Sequence, residues 1–179
     1  MNERVQMMLD HFEIRELIEG YVHACDRGDL AGVKDCYWED SYDHHGPLAG
    51  PGWQFATDCV QSLSEYWRNC THLLGQSRIR VEGDGAGVET FYFASLSRDQ
   101  DGEAMLDLTV GRYIDRMERR DGIWRIKDRR CTQEWAISVP QGEAFIDRES
   151  FLTGAKGESD LAFAALGLSM GSGRIQRGG

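Results

Sequence analysis

Asp26 lies in the stretch "CDRGDL", at the point where an apolar stripe gives way to polar residues. It could cap a helix or accept a proton from a neighbour. The macrodipole disfavours a carboxylate near a helix C-terminus, so the position suits the second role better than the first. His72, in "THLLG", stands where a helical pattern changes to a strand pattern. An imidazole there is either a satisfied junction residue or a base that works near neutral pH. Tyr21 precedes Asp26 by five residues; its phenol is either ordinary core or a donor to a substrate oxygen that gains charge.

The string "YDHHG" invites a metal reading, since Asp43, His44 and His45 carry donors that suit zinc or iron. Neighbouring strand residues point to opposite faces, however, so the two histidines do not readily converge on one ion. No other spaced ligand set occurs, and no metal is expected. Arg78 follows His72 by six residues, an even spacing that puts both on one face of a strand and offers a cation to a phenolate, carboxylate or carbonyl. Phe91, Tyr92 and Phe93, opposite Trp53 and Trp67, could wall a pocket for an aromatic substrate, although core packing explains them equally well.

These residues need elements to position them. From Leu9 to Cys25 the residues Ile14, Leu17, Ile18, Tyr21, Val22 and Cys25 recur at three- and four-residue steps, which predicts an amphipathic helix ending near Gly28. "DLAGVKDCYW" predicts a second helix, with Asp29 as its N-cap and Leu30, Val33 and Tyr37 inward. "SYDHHG" reads as a short extended segment. Trp53, Ala56, Val60, Leu63 and Trp67 predict a third helix. After His72 the period falls to two, and Gly-Asp-Gly, Asp-Gln-Asp-Gly and Arg-Arg-Asp-Gly separate four long strands in the manner of consecutive hairpins. The fold class is therefore α+β, with three N-terminal helices in the concave face of a strongly curved, mainly antiparallel sheet. Residues 1–140 form the domain, and 141–179 are an extension whose "ESDLAFAALGLS" reads as a short apolar helix capped by Ser159 or Asp160. Such a helix is expected to pack on the cavity mouth or on a neighbouring subunit. The chain then closes on a glycine-rich end, "GSGRIQRGG".

The composition narrows the functional classes. At 179 residues, with 41% hydrophobic and 28% charged residues and three prolines, the chain suits one globular domain. A net charge of −10 without a basic stripe argues against nucleic acid. Five irregularly spaced cysteines signal neither a disulfide framework nor a zinc site. With no signal peptide or membrane span in view, the expected compartment is the cytoplasm.

The strings "YVHACDRGDL", "YDHHG", "THLLGQ" and "GRYIDRMERRDGIWRIKDRR", followed by "EW", resemble the nuclear transport factor 2-like superfamily in its SnoaL-like, scytalone dehydratase-like branch. The resemblance implies a cone-shaped α+β barrel and cofactor-free eliminations, dehydrations, isomerisations or cyclisations, commonly in homodimers or trimers. It also implies that Asp26 orients His72 as the base, with Tyr21 as a further catalytic residue, and it makes His45 the histidine of its pair that faces the cavity. A second histidine of the scytalone dehydratase pattern is replaced here by Phe91, Tyr92 and Phe93. The expected function is a cofactor-independent lyase on a hydrophobic, phenolic aromatic molecule that loses water or formaldehyde, with Arg78, His45, Tyr92 and Trp53 binding substrate. The alternatives are an isomerase or cyclase on the same scaffold, and a non-catalytic carrier or oxygenase small subunit.

Overall fold

A computed structural model describes residues 2–143, 146 and 148–171. Helix α1 (Glu3–Arg27) starts at Asn2, whose side chain accepts the N–H of Arg4, and ends at Gly28, whose φ of 71° is the left-handed conformation that closes many helices. Its three- and four-residue stripe of Ile14, Leu17, Ile18, Tyr21, Val22 and Cys25 is buried, and Asp26 sits at the end of that stripe. Helix α2 (Leu30–Asp35) is capped by Asp29 as expected but stops before the predicted Trp38. Tyr37 instead opens strand β1 (Tyr37–His44), where Tyr37, Ser41 and Asp43 face inward. An inward Tyr37 satisfies both the helical and the strand period, and the β-prone Tyr-Trp pair tips the choice to strand. A short strand β2 (Gly50–Pro51) then leads into α3 (Gly52–Tyr66).

Strands β3 (Asn69–Glu82), β4 (Gly85–Gln100), β5 (Glu103–Arg120) and β6 (Ile123–Pro140) form the expected antiparallel meander. Asp101-Gly102 and Asp121-Gly122 both have positive φ at each residue, as a tight turn matching strand twist requires. Among the described residues the order is β2-β1-β6-β5-β4-β3, six strands rather than four. The addition is β1, which runs parallel to β6 and brings β2 with it. The sheet curves around the helices without closing, and the core lies between them with Ile14, Ile18, Phe55, Val88, Tyr113 and Met117 at its centre.

Two bulges in this sheet decide which polar side chains enter the cone. On β3, Leu74 pairs with Tyr92 but Ser77 with Thr90, which inserts one extra residue. Cys70, His72 and Leu74 face inward before the bulge, and Ser77, Ile79 and Val81 after it. Arg15 of α1 braces the bulge by donating to the Gly75 carbonyl at 3.2 Å and to Ser77 Oγ at 2.6 Å. On β6, Met117 pairs with Ile126 but Arg116 with Asp128, so Lys127 is the extra residue. Trp124 and Ile126 are inward; strict alternation would then bury Asp128, but the bulge buries Arg129 instead.

The extension folds back on its own chain, over the ends of α1 and α3. Asp160 caps the short helix α4 (Leu161–Leu166) by accepting from Ala162 N, and it pairs with Arg27 at 2.7 Å. The Phe163 ring is buried 5.7 Å from that of His23, and the Lys156 ammonium donates to the carbonyls of Leu63 and Trp67. Replacing Asp160 by Ala removes a cap and an ion pair together and is expected to cost about 1–2 kcal/mol of stability, read as a lowered denaturant midpoint. An unchanged midpoint would make the docked extension an ornament. The glycine-rich end beyond Gly171 lies outside the described residues.

Candidate active site

Asp26 and His72 meet inside the cone. The last turn of α1 carries Asp26 to the start of β3, where Oδ1 stands 2.7 Å from His72 Nδ1 and Oδ2 accepts the His72 backbone N–H at 2.8 Å. One carboxylate thus holds both the ring and the backbone of the same histidine. Asp26 is 8% exposed and the His72 side chain 14%, so the pair is sheltered yet reachable. With Nδ1–H directed at the carboxylate, the neutral ring turns the lone pair of Nε2 outward, and no described residue hydrogen-bonds to that nitrogen. Asp26 is no helix cap: Gly28 supplies the C-terminal closure of α1.

A second polar group lies deeper, where β1, β5 and β6 face α1. Arg129 and Asp115 are both 0% exposed and form a two-point pair, with Nε and Nη2 each 2.7 Å from a carboxylate oxygen. The guanidinium is sandwiched between Tyr21 and Tyr113, its carbon 4.3 Å and 4.2 Å from the ring centroids. Burial holds the Tyr21 hydroxyl well above its ordinary pKa, so it remains a donor. Tyr92 stacks on Tyr113 at 4.6 Å, lies 6.4 Å from the His72 ring, and donates its hydroxyl to the Thr132 carbonyl. Gly111, its register partner, makes room for it: a Cβ there would fall 2.6 Å from the Tyr92 oxygen.

His45 follows the end of β1 and turns inward, while His44 is exposed. Its ring stacks on Phe55 at 5.0 Å, and its Nδ1 is 3.3 Å from Asp43 Oδ1.

The residues that could do chemistry therefore form a dyad and a buried tyrosine-arginine cluster on one interior. A model of the SnoaL-like domain matches residues 6–130. The chain belongs to the SnoaL-like domain family. Among solved structures, this SnoaL-like chain resembles a hexachlorocyclohexane dehydrochlorinase of LinA type 2 (15% identity, TM-score 0.70, covering 82% of this chain and 99% of that one). It also resembles the LinA type 3 enzyme of Novosphingobium barchaimii LL02 (18%, 0.68, 80% and 99%) and a protein of Novosphingobium aromaticivorans provisionally assigned as a scytalone dehydratase (17%, 0.65, 76% and 96%). Likeness at these identities speaks for the fold alone. No curated protein matches the sequence.

Two expected binding residues of this SnoaL-like domain stand elsewhere. Arg78 is exposed, because the β3 bulge breaks the even spacing that would have placed it on the face of His72. Trp53 is 41% exposed, in the first turn of α3 and at the edge of the stripe formed by Gly52, Phe55, Ala56, Val60 and Leu63. Conversely, Arg129 and Asp115 escaped the sequence reading, since "DRRC" in an alternating strand looks like a solvated charge run until the bulge is known.

Asp26, Cys70 and His72 bring a carboxylate oxygen, a thiol and an imidazole nitrogen within 4.8 Å of one another, a donor set a divalent ion could use. The geometry favours a proton instead. At 2.7 Å the carboxylate and Nδ1 are at hydrogen-bond distance, whereas two ligands of a tetrahedral ion stand roughly 3.3 Å apart. Burial and the nearby Asp26 carboxylate also push the Cys70 thiol up, away from the thiolate a metal binds.

His45 gives the site a pH signature. Burial opposes a charge on its ring, but the Asp43 carboxylate 3.3 Å away and the neighbouring Cys131 favour it, and the pKa is pushed up to about 10. Because the folded value exceeds the ordinary 6.5, the stabilisation is complete below about pH 6.5 and is lost as pH rises through about 10. The unfolding midpoint is therefore expected to fall between pH 7 and pH 10, and to fall less in His45→Gln. Parallel curves for the two proteins would show that His45 is not a folded-state cation.

Proposed function

We propose that the protein is a cofactor-independent lyase that acts on a hydrophobic, phenolic small molecule and eliminates water or a one-carbon fragment such as formaldehyde. The observation that supports this most strongly is the Asp26–His72 contact with Nε2 left unpartnered. Nε2 takes a proton from the substrate, and the Asp26 carboxylate stabilises the imidazolium that forms. In loss of water the electron pair of the broken C–H bond forms the C=C bond as the C–O bond breaks, and the imidazolium returns its proton to the departing hydroxide. In loss of formaldehyde Nε2 takes the hydroxyl proton, the oxygen pair forms the C=O bond as the C–C bond breaks, and the imidazolium returns its proton to the carbon left behind. Tyr21, kept as a hydroxyl by burial, donates to the substrate oxygen that gains charge. The adjacent guanidinium of Arg129 favours that charge without leaving its pair with Asp115. Tyr92 and Tyr113 supply an aromatic surface beside the base. Exposed Trp135 and Ile137 on β6 fit a homo-oligomer formed through the sheet.

A panel of phenolic aryl alcohols, incubated with chelator-treated protein and followed by mass spectrometry, tests the reading. Loss of 18 or 30 mass units, as expected for water or formaldehyde, supports elimination; a product of unchanged mass indicates an isomerase. Activity that disappears on chelation and returns with zinc or iron would overturn the metal-free reading.

A further inference from the structure

Asp43 and Arg129 are register partners on the parallel strands β1 and β6, so their side chains enter the cone side by side, and both are 0% exposed. Each is only partly satisfied. Tyr37 donates its hydroxyl to Asp43 Oδ2 at 2.6 Å, and Asp115 takes Nε and Nη2 of Arg129, but Asp43 Oδ1 and Arg129 Nη1 have no hydrogen-bond partner. His45 Nδ1, 3.3 Å from Asp43 Oδ1, is too poorly aligned to close a hydrogen bond. No ion pair between Asp43 and Arg129 is found among the described residues. Buried orphans of opposite hydrogen-bonding character, in neighbouring register positions, are costly unless something is held between them.

We infer that Asp43 and Arg129, flanked by His45, form a subsite for a hydroxyl group of a neutral ligand, a phenol or an alcohol. The donor-acceptor pattern selects this class. A hydroxyl accepts from Arg129 Nη1 while it donates to Asp43 Oδ1. A carboxylate or halide would satisfy the guanidinium but set its lone pairs against Asp43, with Asp115 close by, and an ammonium would meet Arg129. The walls are aromatic: Phe55 lies against His45 at 5.0 Å, and Tyr113 lies 6.0 Å from the same ring. The subsite deepens the proposed function, on which it rests for the identity of the guest: it assigns the substrate hydroxyl to the end of the cone where β1 meets β6, apart from the base on β3.

Calorimetric titration of the full chain with phenol, anisole and benzoate tests it, because anisole accepts but does not donate and benzoate is an anion of similar size. Phenol is expected to bind at least about tenfold more tightly than either, and Asp43→Asn to lose most of that preference. The preference should persist in His72→Ala, which separates this subsite from the dyad: a dead His72→Ala variant that still prefers phenol supports the subsite whatever becomes of the elimination. If Asp43→Asn does not fold, a phenol-soaked crystal of the wild type decides the matter by locating the phenol oxygen between Asp43 Oδ1 and Arg129 Nη1. Equal affinity for phenol and anisole, or a soaked crystal with only water in that gap, would overturn the inference.

Discussion

Asp26→Asn is expected to keep the fold and lower turnover by at least about two orders of magnitude, the lower end of what a positioned acid-base group contributes. An amide in place of the carboxylate still reaches Nδ1 and the His72 backbone N–H, which now share a single oxygen, but it does not stabilise the imidazolium. It can also turn its NH₂ toward Nδ1 and favour the wrong tautomer. His72→Ala should cost as much, and the double variant little more than either single change, because the two residues act as one unit. Steady-state rates on any substrate found by the panel decide it. Additive losses in the double variant would mean that the two side chains work separately.

Arg129→Met is expected to be the most destabilising single change in the cone, by about 3–5 kcal/mol, because it leaves Asp115 buried and charged with no partner. Arg129 is also packed between two tyrosine rings, so the methionine must replace a flat cation by a flexible thioether in a close-fitting slot. Adding Asp115→Leu should recover most of the loss, since removing both charges removes the desolvation cost along with the attraction. Denaturant midpoints for the two single variants and the double variant give the coupling directly. A single variant as stable as the wild type would show that the buried pair contributes no net stability.

The elements that place the dyad were legible because their signals are local. The stripe of α1 runs unbroken to Cys25, so Asp26 had to emerge at its last turn, and Asp-Gly at 101–102 and 121–122 marks turns whose geometry those residues favour. The pairing of β1 with β6 was not legible, because a parallel contact between distant strands leaves no turn chemistry behind. The bulges were hidden for a related reason. Gly75 in "LLGQS" is a weak mark of a bulge and nothing in "IKDRR" announces one, yet each bulge reverses the facing of the positions that follow it. That is why Arg78, expected to share the face of His72, lies outside, and why Arg129, within a run of charged residues, is buried inside.

Chemical rescue tests most directly whether His72 is the base and Asp26 its support: turnover by His72→Ala measured against added imidazoles of graded basicity. A rate that rises with imidazole concentration and with the basicity of the added ring, and no such gain in Asp26→Asn, is the predicted result. Wild-type turnover by His72→Ala without any added base would contradict it.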